Sequence, residues 1–207
     1  ALKDITLGQY FPGNSPVHRL DPRTKILTVV LYITALFLAK SFVTYGIMFL
    51  VLCASIALSK VPVKSILRGL KPVLFIAVFT AVLNLLYTPG EHVLAKFWIF
   101  TITLEGVFTA FFMVIRIMML IAGTFLLTYT TSPILLTDGL ESLLGPLKKL
   151  KVPVHELAMM MAIALRFIPT LIEETDKIMS AQKARGADFD SGNIFQKAKA
   201  LVPILVP

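Results

Sequence analysis

The chain has 207 residues, of which 57% are hydrophobic and only 15% charged, whereas a soluble domain carries about 25% charged residues. This composition places the chain in a lipid bilayer and excludes an ordinary soluble domain. The formal net charge of +8 does not indicate nucleic-acid binding, because the cations border apolar stretches, where the positive-inside rule accounts for them.

The segment before the first apolar stretch is polar and basic. Asp21 and the proline after it are typical of an N-cap and a first helical position. Arg19, Arg23 and Lys25 flank this cap and are suited to anionic lipid headgroups. A capped helix anchored at the membrane interface by Arg19, Asp21 and Arg23 accounts for these residues without a more specific role.

Four apolar stretches approach the length of about 20 residues that crossing a bilayer requires. They lie at about 23–40, 42–59, 71–88 and 106–130. We therefore expect an all-α integral membrane protein whose residues 1–130 form a domain of four transmembrane helices. The first two stretches are nearly continuous and predict a tight antiparallel hairpin.

The positive charges predict the orientation in a cell membrane. The N-terminal segment and the segment at 60–71 are basic, whereas the segment between the third and fourth spans is not. The positive-inside rule then places the N-terminus and the 60–71 loop in the cytoplasm. Because four spans return the chain to the same side, residues 131–207 are also expected there.

A single charged residue, Arg116, lies within the fourth span. A charge inside a membrane is costly and is by default a hypothesis of function. Alternatively, Arg116 snorkels or pairs with a polar group or water inside the helix bundle. The sequence does not name its partner.

Beyond residue 130 the pattern changes to amphipathic helices, predicted at about 133–150, 153–184 and 192–207 and beyond. The second of these has a long apolar stripe, and its charges concentrate in the C-terminal half. At ~1.5 Å per residue it would extend about 45 Å. Pro169 should kink it. We expect a helix that begins against the membrane bundle and ends in water.

The second helix ends at the sequence Ala184-Arg185-Gly186. Gly186 suits a left-handed C-cap, and the basic side chain of Arg185 suits the negative end of the helix dipole. Asp190 or Ser191 can cap the following helix. On composition alone, these residues form a helix cap and nothing more.

Common catalytic and metal-binding patterns are absent from the sequence. It has neither the phosphate-binding G-x-x-x-x-G-K-[ST] motif nor a G-x-S-x-G nucleophile motif. Its three histidines lie in different segments without ligand spacing, so no metal site is predicted. The single Cys53 excludes an internal disulfide. These observations predict a protein that is neither an enzyme nor a self-sufficient pump.

Three stretches together resemble the T component (EcfT family) of energy-coupling factor transporters, which are importers of the ABC class for vitamins and metal ions. They are "GQYFPGNSPVHRLDPRTK" at 8–25, "LTDGLESLLGPLKKLKVPVHELAMMMAIALRFIPTLIEE" at 136–174 and "AQKARGADF" at 181–189. The last two carry most of the specificity, because a long Met-rich helix that ends on Ala-Arg-Gly is uncommon.

The resemblance implies a membrane scaffold that binds no cofactor itself, whereas its two partner ATPase subunits bind ATP and magnesium. Ala184, Arg185 and Gly186 match an arginine motif that docks one ATPase subunit. A second such motif and a final transmembrane helix are expected after residue 207. The three amphipathic helices correspond to coupling helices, and the longest is expected to contact a substrate-binding S component. Pro169 is either a flex point of this helix or merely a fixed kink. The contact residues implied are Met160, Met161, Leu165, Ile168, Leu171 and Ile172.

Other interpretations remain open from the residues alone. A permease subunit of another transporter class would need inward polar residues in several spans, and few are present. A membrane-bound enzyme or assembly factor would need clustered acids, histidines or nucleophiles. A membrane scaffold outside transport would not copurify with an ATPase. The substrate is not encoded here, because in this family the S component selects it.

Overall fold

A computed structural model of the protein describes residues 10–98, 100–187, 189 and 193–205. The helices and strands of this part of the chain are α1 (Pro22–Leu38), α2 (Phe42–Ser59), α3 (Val63–Tyr87), β1 (Val93–Phe97), β2 (Phe100–Thr103), α4 (Leu104–Thr130), α5 (Pro133–Leu144), a 3-10 helix (Gly145–Leu150), α6 (Val154–Ala184) and α7 (Ile194–Leu205). The predicted all-α class is confirmed, with a single two-stranded hairpin in the described residues.

Four of the described helices are long and apolar enough to cross a membrane, namely α2, α3, α4 and α6. The first predicted span coincides with α1, which is not among these four, whereas α6 was predicted to be an amphipathic helix outside the membrane. α1 has 17 residues and extends about 25 Å, slightly less than the ~30 Å hydrocarbon core. α6 is amphipathic and carries most of its charges near its C-terminal end, so composition alone does not place it in the bilayer.

α3 begins eight residues before the predicted span. Lys64, Arg68 and Lys71 therefore lie on its first turns rather than in a loop, and only residues 60–62 separate α2 from α3. Lysine and arginine are good helix formers, and their apolar stems let the charged ends reach the headgroups while the backbone stays helical. The predicted basic loop is thus a basic helix end.

The β-hairpin between α3 and α4 was not predicted. β1 and β2 pair antiparallel, with Lys96 opposite Thr101 and Phe97 opposite Phe100. All five residues of β1 are exposed, so the strand lacks the alternation of buried and exposed residues that would reveal it in the sequence. The hairpin lies at the same end of the bundle as the start of α4.

α4 is the central helix of the membrane domain. α1 runs antiparallel to it, and the Tyr32 hydroxyl donates a hydrogen bond to the Met119 carbonyl at 2.8 Å. α3 packs on another side, where Gly69 faces the ring of Phe125. The core between these helices is formed mainly by Leu36, Leu52, Ile66, Leu70, Met119, Leu126 and Tyr129. The expected α1–α2 hairpin is loose, because α1 packs more extensively on α4 and α5 than on α2.

α5 attaches the C-terminal helices to the membrane domain. Its Gly139 lies so close to α1 that an added Cβ would approach the Cβ of Pro22 to 2.9 Å and the Cδ1 of Ile26 to 3.1 Å. α5 ends at Leu144, and the predicted helix to residue 150 continues only as a 3-10 helix. The reason is Pro146, which has no N–H for a regular helical hydrogen bond.

Candidate coupling surface and helix tip

α6 is buried only at its beginning. Val154 and Ala158 are buried against the preceding elements, whereas most of the helix beyond them is exposed. His155 Nδ1 and Glu141 Oε1 of α5 form an exposed hydrogen-bonded pair at 2.6 Å. Near the other end, the Gln182 amide donates to the Pro203 carbonyl of α7 at 3.5 Å. α6 is therefore held at its two ends and open in the middle.

The six predicted contact residues lie on two sides of α6. Leu165, Ile168 and Ile172 are half-buried and continue the row that begins at the buried start of the helix. The other three are open to a partner, with exposed fractions of 59% for Met160, 52% for Met161 and 61% for Leu171. Their role in binding an S component stays a prediction.

An exposed apolar row runs along α6 with alternating spacings of three and four residues. It comprises Leu157, Met160, Ala164, Phe167 and Leu171. This spacing keeps the side chains on one face and is the pattern by which one helix packs against another. Phe167 is 55% exposed and was missing from the predicted set. Its position in this row, seven residues after Met160, is the signal that could have identified it.

Pro169 lies inside α6, and the helix continues through it. A proline removes one backbone donor, so the carbonyl of Leu165 receives no hydrogen bond from the usual i+4 position. The helix is locally weakened at this point, within the exposed middle part. A role of Pro169 as a flex point of α6 stays a prediction.

The tip of α6 is a complete glycine-based C-cap. The Gly186 N–H donates to the Lys183 carbonyl at 3.0 Å, and the Ala187 N–H donates to the Gln182 carbonyl at 3.0 Å. Gly186 has φ +88°, a left-handed conformation that glycine adopts without strain. The predicted left-handed cap is therefore present.

The cap holds Arg185 at the end of the helix. Its backbone N–H donates to the carbonyls of Ala181 and Gln182, at 3.2 and 3.1 Å. Ala184, Arg185 and Gly186 are all exposed, and the guanidinium has no partner among the residues that the structure describes. A rigid arginine fork is thus presented to solvent on a fixed backbone. Asp188, Asp190 and Ser191 lie outside the described residues.

The N-terminal anchor is more extensive than the sequence indicated. As predicted, Asp21 caps α1, its carboxylate accepting from the Arg23 N–H at 2.8 Å, and the side chains of Arg19 and Arg23 are exposed. Lys25 is buried and donates to the carbonyls of His18 and Thr130, at 3.3 and 2.9 Å. It thereby caps the C-terminal end of α4. The sequence alone does not reveal this role, because it does not show that α4 ends beside Lys25.

The structure supplies the missing partners of Arg116. Its Nε donates to the Tyr45 hydroxyl at 2.9 Å, and its Nη2 donates to the Ala39 carbonyl at 3.3 Å. The guanidinium also lies 5.7 Å from the ring centroid of Phe37. This arrangement matches the interpretation in which Arg116 pairs with polar groups inside the bundle. Among the described residues, no group of three or more histidine, cysteine, aspartate or glutamate side chains could hold a metal ion.

Comparisons with known proteins agree on the family to which this chain is similar. Residues 13–207 match the CbiQ family, described as a cobalt transport protein. A relative from Acidaminococcus fermentans, the energy-coupling factor transporter transmembrane protein EcfT, is 55% identical over 207 residues, which are 100% of this chain and 76% of the relative. The protein of the same name from Bacillus subtilis is 48% identical over 206 residues, with 100% of this chain and 78% of the relative covered.

Proposed function

The chain belongs to the CbiQ family, among the EcfT transmembrane components of energy-coupling factor transporters, and from this premise we propose that it couples ATP-driven motion to substrate uptake. In this proposal two ATPase subunits hydrolyse ATP, and a separate S component binds a vitamin or another micronutrient. This chain binds no cofactor and connects the two kinds of partner. The coupling helices and the N-terminus lie on the cytoplasmic side of the cell membrane.

The observation that carries the proposal is the capped tip of α6. Arg185 is exposed, its backbone is fixed by the cap, and its neighbours Ala184 and Gly186 are small. A guanidinium has five N–H donors in a planar fork that matches carboxylates. We infer that Arg185 enters an acidic groove of one ATPase subunit, and that the small neighbours permit close approach.

The exposed apolar row on α6 supports the second contact. Met160, Phe167 and Leu171 offer an apolar surface, and methionine repacks readily against a moving partner. The S component would pack against this row and against Met161. Movement of the ATPase subunits would displace the tip of α6 and shift the row against the S component. Pro169 lies within the row, between Phe167 and Leu171, where the helix lacks one backbone hydrogen bond.

α5 completes the path to the membrane domain. Gly139 permits close packing of α5 on α1, and the start of α6 packs on α5. Because packed helices transmit displacement rather than absorb it, motion at the tip would reach the membrane helices. A C-terminal helix pair that was loosely attached would not serve this purpose.

The test is a copurification of the full-length protein with its ATPase subunits and S component, comparing wild type with Arg185→Glu. Arg166→Glu is the matched control, because Arg166 is an exposed arginine on the same helix, away from the tip. Reversing a charge that docks into an acidic groove should weaken binding by about 2–5 kcal/mol. We expect Arg185→Glu to lose one ATPase subunit and ATP-driven uptake, and Arg166→Glu to retain both.

Two results would contradict the proposal. If Arg185→Glu retains the ATPase subunits and normal uptake, Ala184-Arg185-Gly186 is only a helix cap. If the wild-type protein copurifies with no ATPase subunit at all, the coupling function itself is wrong. Replacing Phe167 by Glu tests the other contact, because it should release the S component while the ATPase subunits remain bound.

A further inference from the structure

Arg116 ties the end of α1 to the middle of α4. The Ala39 carbonyl that it contacts belongs to the C-cap of α1, where the helix dipole is negative. Tyr45 of α2 accepts from the Arg116 Nε, and its ring lies 6.0 Å from the guanidinium carbon. Arg116 therefore joins three helices at one point.

This point lies at the membrane face opposite the coupling helices. α1 and α4 run antiparallel, with Lys25 beside Thr130 at one end and Ala39 beside Arg116 at the other. α5 packs on α1 at Pro22, and 17 residues of α1 place Ala39 about 25 Å away. A separation close to the thickness of the hydrocarbon core puts Arg116 near the headgroups of the far leaflet.

The guanidinium has hydrogen-bonding capacity left over. Two of its five N–H donors are used, by Tyr45 and Ala39, and within the described part of the chain the other three have no acceptor. An adjoining cavity of about 450 Å³ is lined by Lys40, Thr109, Phe112, Met113, Tyr45 and Arg116. It contains two cations, two hydroxyls and no carboxylate.

The nearest acid of α4 does not neutralise these cations. Glu105 lies eleven residues before Arg116, about 16 Å along the helix, and its carboxylate packs beside Gly90 and Thr103. Lys40 is exposed in the turn between α1 and α2 and has no hydrogen bond or ion pair among the residues that the structure describes. Two uncompensated cations at a membrane interface attract an anion.

We propose that Arg116 and Lys40 bind the phosphate of an anionic phospholipid from the leaflet opposite the coupling helices. A guanidinium fork and an ammonium match phosphate oxygens, and the Thr109 hydroxyl lies in the same cavity. The surroundings favour a lipid over free phosphate, because exposed aromatic rings adjoin the cavity. The ring centroids of Phe42 and Phe111 lie 4.7 and 6.1 Å from that of the lining residue Phe112, and these two side chains are 58% and 51% exposed. The bound lipid would brace the α1–α2 turn against α4.

The experiment uses the purified transporter complex and native mass spectrometry, with phosphatidylglycerol, phosphatidylcholine and inorganic phosphate as probes. Lys40→Gln removes one cation without breaking any hydrogen bond that the structure records. Lys96→Gln is the matched control, because Lys96 is exposed on β1 at the same end of the bundle. We expect wild type to retain phosphatidylglycerol in preference to phosphatidylcholine, and Lys40→Gln to weaken that binding about fivefold. Lys96→Gln should leave it unchanged.

Three outcomes would overturn the proposal. Equal phosphatidylglycerol affinity of Lys40→Gln and wild type would mean that the cavity does not bind the headgroup. Equal retention of phosphatidylcholine by wild type would remove the preference for an anionic lipid. If inorganic phosphate alone saturates the site and displaces the lipid, the cavity is a free-anion site. Arg116→Gln, which also removes a helix contact, is expected to weaken lipid binding more than Lys40→Gln does.

Discussion

The junction between α5 and α1 is expected to be intolerant of a single added methyl group. In Gly139→Ala the new Cβ would lie 2.9 Å from the Pro22 Cβ and 3.3 Å from the Pro22 carbonyl carbon, at the first turn of α1. An ordinary carbon–carbon contact is about 3.5–4.0 Å, so α5 and α1 would have to separate by roughly 0.6–1.1 Å. The Pro22 backbone cannot rotate away as a flexible side chain would.

The expected magnitude is the difference between two opposing effects. Alanine is favoured over glycine in a helix by about 1 kcal/mol, and overpacking costs about 1–3 kcal/mol. Gly145→Ala is the matched control, because a Cβ at Gly145 meets nothing within 4 Å. Because both variants replace glycine by alanine, the difference between their stabilities excludes much of the helix-forming preference of alanine. Gly139→Ala should therefore be less stable than Gly145→Ala by about 1–3 kcal/mol.

Thermal unfolding of the purified complex measures this difference, at about 2–4 °C per kcal/mol for a chain of this size. ATP-driven uptake should fall in parallel, because α5 connects α6 and α7 to the membrane helices. The reasoning fails if Gly139→Ala melts at or above the temperature of Gly145→Ala. It fails equally if Gly139→Ala melts lower but supports undiminished uptake, because the junction would then not transmit motion.

Two further predictions concern helix ends. Lys25→Met leaves the buried Thr130 carbonyl without its donor and should destabilise the complex by about 1–3 kcal/mol. Thermal unfolding measures this loss against Lys64→Met, a control at an exposed lysine. Equal melting temperatures of the two variants would contradict the prediction. Gly186→Ala forces a side chain into the φ +88° conformation, at a cost of about 1–2 kcal/mol. Among the described residues, no atom lies within 4 Å of a Cβ added at Gly186, so the cost is backbone strain rather than a clash. It should appear as weaker retention of the ATPase subunit, and unchanged copurification would contradict this prediction.

Helices with strong apolar patterns could be predicted almost to the residue. The predicted stretch 42–59 coincides with α2, and α6 ends at Ala184 where the Ala-Arg-Gly sequence indicated. These boundaries depend on local signals. Ser41 caps α2, its hydroxyl accepting from the Thr44 N–H at 3.3 Å, and Gly186 ends α6. The start of α3 was predicted eight residues too late, because its first turns carry three basic residues. A basic segment beside an apolar span has the same charge pattern whether it is a loop or a helix end.

The rest depended on contacts between distant parts of the chain. Arg116 was recognised as unusual, but its partners lie 71 and 77 residues away in sequence. Lys25 looked like one basic interface residue among several, although its side chain is buried. Phe167 was overlooked because the apolar stripe of α6 is wide. The sequence does not show which side of this stripe is half-buried by packing and which side, including Phe167, stays exposed.

The unequal lengths of the membrane helices have a consequence for the surrounding lipid. α1 and α2 extend about 25 and 27 Å, whereas α3 and α4 extend about 38 and 40 Å. The first turns of α3 are basic, so only its remaining ~24 Å is apolar, whereas α4 is apolar over nearly its whole length. A bilayer therefore meets a shorter apolar surface beside α1 and α2 than beside α4. Acyl chains beside the shorter surface must shorten or tilt. A neighbouring membrane protein that reorients is expected to meet the least resistance beside α1 and α2.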